Sequence, residues 1–327
     1  MEGHFRHAGS RYYNRAMADA PKRALIAVRR GERGMPLAAI HARYLAERIG
    51  AELVLATCIY DSSVAFRLAR GDRDAASAQA GMLRNAERDL DGLAQSLRDW
   101  GVPVTTKAIW EQPVYAGLLR AVEECGADLL VLGAHEPRLG VPHTRLTATD
   151  WQVMRLAPCP ILLVKDPEFD GYERILAAVD PVHMHAEPSG LDDAVLEAAC
   201  GLARALDAEL RIAHAYPDPA DYSWVSAVEV LPGVFYGNEN IERVHERAVL
   251  ELVGGYGITA DAVDLRAGKP AEVIAALAAE RRSKLVIVGA TRRGVVEQAL
   301  LGSTAEVVAV ESPCDVLLVP APRRSTD

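Results

Sequence analysis

The stretches DLLVLGA, from Asp128 to Ala134, and KLVIVGA, from Lys284 to Ala290, are near copies of one another in the two halves of the chain. Two further pairs recur at almost the same separation: AELVLA at Ala51–Ala56 with AELRIA at Ala208–Ala213, and APCPILLV from Ala157 with SPCDVLLV from Ser312. Self-similarity at a nearly fixed spacing is the sequence signature of a repeated structural unit. The chain therefore holds two copies of one domain.

Each copy alternates short apolar runs with amphipathic segments of helical length. The runs are rich in Val, Leu and Ile and apolar on both faces, which is typical of parallel strands covered by helices. The predicted fold class is α/β, with two tandem doubly wound, Rossmann-like parallel sheets of five strands each. The strands are expected at Ala24–Val28, Leu53–Thr57, Val104–Ile109, Leu129–Leu132, Ile161–Val164, Ile175–Val179, Leu210–His214, Ala262–Arg266, Leu285–Val288 and Val316–Val319.

The length of 327 residues agrees with two domains, since domains commonly have about 100 to 200 residues. We expect an N-terminal extension over residues 1–20, a first domain over 21–166 and a second over 167–327. The proline- and charge-rich segment KDPEFDGYE, from Lys165 to Glu173, suits the linker.

The net charge of −9 argues against a broad surface for nucleic acid or an anionic membrane, because both need clustered positive charge. No run is long and apolar enough for a membrane span, and the first 20 residues lack the apolar region of a signal peptide. A cytoplasmic protein is expected. The five cysteines form no CxxC motif, which favours buried thiols over disulfides or a cysteine metal site.

Candidate binding residues follow from the rule that ligands of open α/β sheets bind beyond the carboxyl ends of the strands. Glycines let backbone N–H groups approach a phosphate, hydroxyls and arginines add donors, and a helix starting at Ser303 would present free N–H groups. These features predict an anion site in the second domain, although the glycines could also only shape a turn. The candidates are Val179, Asp180, His214, Val288, Gly289, Arg292, Arg293, Gly294, Gly302, Ser303 and Thr304.

This constellation resembles the universal stress proteins, whose nucleotide-binding members carry G-x2-G-x9-G-[ST] after the fourth strand and an Asp at the end of the first. Here the spacing from Gly289 to Gly302-Ser303 is intact, Arg292 replaces the second glycine, and Asp180 stands at the place of the Asp. The segment from Thr147 to Asp166 also resembles tandem members of the family. The resemblance implies ATP, either alone or with Mg²⁺, in the second domain, with Arg292 either blocking a phosphate or binding it.

The first domain departs from the same pattern at several positions. Glu136 would oppose a phosphate, Pro137 lacks an N–H donor, and Arg29 replaces the Asp. We therefore expect the first domain to have lost nucleotide binding.

Other residues offer weaker alternatives. His183 and His185, together with His214, are candidate ligands for a metal such as zinc. Because no fixed fourth ligand is apparent in the sequence, no metal site is expected. Lys269, at the turn after the third strand of the second domain, could meet a phosphate. The aromatic segment from Tyr222 to Asn240 could form a lid or an apolar groove for an acyl chain, or simply pack on the body.

The expected function is therefore a stress-response protein that binds ATP or a related nucleotide in its second domain, with no dedicated catalytic residues. Alternatives are a module for an apolar, lipid-like metabolite or a partner protein, and a slow ATPase. The family resemblance also implies an intramolecular pseudo-dimer of the two domains through Ile161–Val164 and Val316–Val319, and a homodimer is a further possibility.

Overall fold

The computed structural model describes residues 20–31, 34–134, 146–182, 190–218, 240–290 and 302–322. These residues separate into two compact units that divide between Gly171 and Tyr172. We refer to them as the first and the second domain.

The first domain is an alternation of strands and helices around a parallel sheet. Its strand order is β3-β2-β1-β4-β5, and every neighbouring pair is parallel. The elements are β1 (Arg23–Ala27), α1 (Leu37–Ile49), β2 (Glu52–Ile59), α2 (Ser62–Ala69), α3 (Arg73–Asp99), β3 (Val104–Trp110), α4 (Val114–Cys125), β4 (Leu129–Gly133), α5 (Ala148–Leu156) and β5 (Ile161–Val164).

The second domain repeats this topology with the strand order β10-β9-β6-β7-β8, again parallel throughout. Its elements are β6 (Arg174–Ala178), α6 (Leu191–Leu206), β7 (Glu209–Tyr216), α7 (Ile241–Gly254), β8 (Val263–Ala267), α8 (Pro270–Glu280), β9 (Leu285–Ala290), α9 (Ser303–Glu311) and β10 (Asp315–Pro320). The predicted fold class, two doubly wound parallel sheets, is confirmed.

The observed strands overlap the predicted apolar runs, and β2, β7, β9 and β10 are longer than predicted. Gly289, predicted in the loop after the strand, lies within β9 because it pairs with Val319 of β10. β2 continues to Ile59 because it pairs with β3 up to Ile59 and Trp110. β7 likewise continues to Tyr216, which pairs with Ala267 of β8. His214 therefore lies within its strand and not at the strand end.

The central strands form the core of each domain. Leu25 and Ile26 of β1 are fully buried, as are Leu176 of β6 and Val286 of β9. In each sheet the direction of winding reverses between the first and fourth strands, at β1–β4 and at β6–β9. The ligand crevice of such a sheet lies beyond this point, at the carboxyl ends. Among the described residues, no helix is both long and apolar enough to cross a membrane.

Candidate functional site

A cavity of about 360 Å³ opens at the carboxyl ends of β6 and β9, where the winding of the second sheet reverses. This volume falls within the range of small-molecule sites. The described residues that line the cavity include most of the candidates from the sequence: Val179, Asp180, Val288, Gly289, Gly302, Ser303 and Thr304.

Three helices begin at this cavity. Its wall includes Leu191 and Asp192 from the start of α6, Lys269 and the first residues of α8, and Gly302 to Ala305 at the start of α9. In none of the three does a side chain among the described residues cap the first turn. The first N–H groups of a helix have no partner within the helix and carry a partial positive charge. The cavity is therefore suited to an anion.

The end of β6 is held in place by two side chains. Oδ1 of Asp192 accepts a hydrogen bond from the backbone N–H of Asp180 at 2.9 Å. The carbonyl of Val179 accepts one from Nδ1 of His214, also at 2.9 Å. Because both peptide groups are fixed, the Asp180 backbone has a defined position at the cavity edge. Asp192 was not among the sequence candidates, although its place in the first turn of a helix was a usable signal.

His214 lies on the face of β7 opposite the cavity and holds the end of β6 from there. Side chains alternate along a strand, so Ala213 and Ala215 line the cavity while the His214 ring is buried away from it. A carbonyl only accepts, so Nδ1 of His214 carries the proton and Nε2 accepts from Nδ1 of His245 at 2.7 Å. Burial lowers the pKa of both rings, that of His245 to about 4. Both imidazoles are thus neutral at pH 7.

Gly289 has a packing role that the sequence did not indicate. A Cβ at this position would lie 2.7 Å from Cγ and from Cδ2 of Leu191. The missing side chain therefore lets α6 approach β9 closely, whatever the cavity holds.

Several candidates lie outside the described residues. These are Arg292, Arg293 and Gly294 of the loop after β9, His183 and His185, Glu136 and Pro137, and most of the Tyr222–Asn240 segment. The hypotheses that concern them, including the role of Arg292, stay hypotheses.

The sequence model of the universal stress protein family matches residues 21–165 and again 171–320. The chain belongs to the universal stress protein family. Both matched segments coincide with the repeated copies found in the sequence, so each copy is one universal stress protein domain.

Curated relatives align with most of this chain. The chain is 27% identical to universal stress protein E of Escherichia coli K12 over 282 residues, covering 84% of this chain and 87% of that protein. It is 32% identical to a universal stress protein E homolog of Haemophilus influenzae over 218 residues, 66% of this chain and 69% of the relative.

Solved structures agree on the fold. A universal stress protein from Pseudomonas aeruginosa UCBPP-PA14 matches with a TM-score of 0.67 and 23% identity, covering 93% of this chain and 94% of that one. A protein of unknown function from Pseudomonas aeruginosa PAO1 matches with a TM-score of 0.68 at 24% identity, with the same coverage.

In the first universal stress protein domain, side chains occupy the start of α5, whereas the corresponding start of α9 in the second domain opens on the cavity. The Nη2 atom of Arg29, which follows β1 as Asp180 follows β6, lies 3.1 and 3.2 Å from the two carboxylate oxygens of Asp150. Oδ2 of Asp150 also accepts from the N–H of Thr147 at 2.7 Å and from its hydroxyl at 2.8 Å. The Thr147 hydroxyl in turn accepts from the Asp150 N–H, which completes a capping box.

The start of α5 thus already has a carboxylate of its own. Asp150 is buried, with only 5% of its surface exposed, so an incoming phosphate would have to displace the partly buried ion pair that Asp150 forms with Arg29. Among the described residues of the chain, no group of three or more His, Cys, Asp or Glu could hold a metal ion.

Proposed function

We propose that this chain is a stress-response protein whose second domain binds ATP or a related nucleotide, and whose first domain does not. The observation that carries the proposal is the convergence of three helix starts without side-chain caps on one cavity. Such N-termini are ready-made sites for phosphate, because free N–H groups and the helix dipole both favour negative charge.

Lys269 strengthens the positive side of the cavity. Its side chain is 75% exposed and pairs with Glu272 at 3.1 Å, a contact that costs little to exchange for a phosphate. The phosphates of a nucleotide would lie between Lys269 and the Gly302-Ser303-Thr304 turn, whose two hydroxyls add donors.

The remaining wall favours a nucleoside over inorganic phosphate alone. Asp180 and Asp192 place carboxylates beside small apolar residues of the strand ends, Ala178, Ala213 and Ala215. Carboxylates repel a bare anion, whereas they accept hydrogen bonds from ribose hydroxyls or a base amino group. If Mg²⁺ accompanies the phosphates, Asp180 would supply an oxygen ligand of the kind that Mg²⁺ prefers.

The cavity favours holding a nucleotide over converting it. We assign its polar lining residues, Asp180, Asp192, Lys269, Ser303 and Thr304, to binding of the nucleoside and the phosphates. Positioning and charge neutralisation alone would give at most slow hydrolysis.

Calorimetric titration with ATP, supported by native mass spectrometry, tests the proposal on the variant Gly302→Asp. Gly302 is the N-cap of α9, so the new carboxylate would satisfy the free N–H groups and oppose a phosphate. We expect one ATP per wild-type chain and a loss of affinity of about 100-fold or more in the variant. The helix itself should stay intact or become more stable, since Asp is a good N-cap.

The matched control is Thr147→Asp, which introduces the same charge at the N-cap of α5 in the first domain, the position that corresponds to Gly302. It should leave ATP affinity unchanged. The absence of ATP binding to the wild-type protein at millimolar concentration, or equal loss in both variants, would overturn the proposal.

A further inference from the structure

The first domain also contains a cavity. It lies at the carboxyl ends of its strands, against the face of β2 that carries Thr57 and Ile59. It has a volume of about 390 Å³ and lies between the ends of β1 and β2 and the long helix α3. Its described lining includes Val28 after β1, Thr57 and Ile59 of β2, and Met82, Leu90 and Leu93 of α3. This place is separate from the proposed nucleotide site, which belongs to the second domain.

A comparison with the second domain shows why space is left here. Thr57 and His214 hold the same place in their repeats, six residues after the start of AELVLA and of AELRIA. In the second domain the rings of His214 and His245 bridge strand and helix through a contact of 2.7 Å. In the first domain the strand presents the smaller Thr57 and the helix presents Leu90, and both line open space.

The buried end of the cavity is apolar except for one hydroxyl. Val28, Ile59 and Leu90 are at most 8% exposed. Thr57 is 5% exposed and lines the cavity beside these apolar side chains. A ligand that fills the apolar end would lie against this hydroxyl, which can donate or accept one hydrogen bond.

The mouth of the cavity carries charges of both signs. Arg30 and Asp89 both line it and are exposed. The neighbouring Arg29 is held by Asp150. The charges of the described residues at the mouth therefore balance, which suits a ligand with one positive and one negative group better than a simple anion or cation.

We propose that this cavity binds a zwitterionic α-amino acid with a large apolar or aromatic side chain. The side chain would fill the apolar interior, while the carboxylate meets Arg30 and the ammonium meets Asp89 at the exposed rim. Keeping both charges near water avoids the cost of burying them, and the cavity volume falls in the range of small-ligand sites.

Isothermal titration calorimetry with phenylalanine, tyrosine, leucine and methionine tests the proposal. We expect saturable binding of at least one of these amino acids. If phenylalanine binds, its analogues 3-phenylpropanoate, which lacks the ammonium group, and 2-phenylethylamine, which lacks the carboxylate, should bind about tenfold or more weakly. Leu93→Trp should abolish binding by filling the cavity from α3. Glu87→Trp, on the exposed surface of the same helix, should not.

Thermal unfolding of both tryptophan variants establishes that they are folded. The proposal is overturned if no amino acid of the panel binds at millimolar concentration, if the singly charged analogues bind as tightly as the amino acid, or if folded Leu93→Trp keeps full affinity. ATP binding by the second domain is measured separately, so a negative result here leaves the nucleotide proposal intact.

Discussion

Helices α5 and α9 begin at matching places in the two domains, and their first turns differ in what satisfies the backbone. In α5 the Thr147–Asp150 capping box and Arg29 occupy the start of the helix. In α9 no described side chain caps the first turn, and Gly302, Ser303 and Thr304 line a cavity. One fold can therefore hold a helix start that its own side chains close and a helix start that opens on a cavity, and a few residues at the sheet end and first helical turn decide which.

The largest expected effect comes from removing the internal carboxylate of the first domain. Asp150→Ala would leave Arg29 without this partner and delete the capping box, so the free energy of unfolding should fall by about 2–4 kcal/mol. Urea denaturation measures the change. Ser303→Ala in the second domain is the comparison, since Ser303 is exposed and its side chain makes no cap bond. It should change stability by less than about 0.5 kcal/mol, and equal losses would contradict the difference between the two helix starts.

The two strand-end glycines provide a second contrast. In Gly289→Ala the new Cβ would overlap Leu191, which lies 2.7 Å from its position, so a loss of about 1–3 kcal/mol is expected. In Gly133→Ala the nearest atom of another residue is Cβ of Ala38 at 3.7 Å, an ordinary contact, and stability should hardly change. Chemical denaturation of the two variants checks this. A similar result for both would mean that Gly289 is not required for helix packing.

The histidine pair predicts a dependence on pH that arises in the second domain. Desolvation lowers the folded-state pKa of both rings, that of His245 to about 4. For His214 this effect outweighs the Val179 carbonyl and Asp180, which favour the protonated ring. The unfolded histidines titrate near 6.5. Above about pH 6.5 both histidines are neutral in the folded and in the unfolded chain. As the pH falls from about 6.5 toward 4, the unfolded chain binds protons at these histidines before the folded chain does, and the folded state is destabilised.

Denaturation midpoints at pH 7.5 and pH 5 measure this loss, expected to be on the order of 1 kcal/mol per pH unit. The double variant His214→Thr/His245→Leu, which introduces the residue types found at Thr57 and Leu90, should lose much of the dependence. An unchanged pH profile in that variant would assign the effect to other groups.

The sequence allowed the fold to be predicted because its signals are local and repeated. Apolar runs placed the strands, and the rule for strand ends led to Val179, Asp180, Gly302 and Ser303, which share one cavity in the structure. Contacts between residues distant in sequence were not predictable. Arg29 and Asp150 are 121 positions apart, and His214 and His245 are 31 apart, so nothing in either local pattern indicates the partner. Similarly, the need for glycine at 289 depends on where Leu191 packs.

Hydrogen–deuterium exchange with and without saturating ATP compares the two helix starts in one experiment. Peptides that cover the first turn of α9, residues 302–306, should exchange more slowly when ATP is bound, because phosphate oxygens accept from their N–H groups. Peptides that cover residues 146–150 should be unaffected, since Asp150 and Thr147 already occupy that helix start. Protection at α5, or bound ATP without protection at α9, would contradict nucleotide binding at the start of α9.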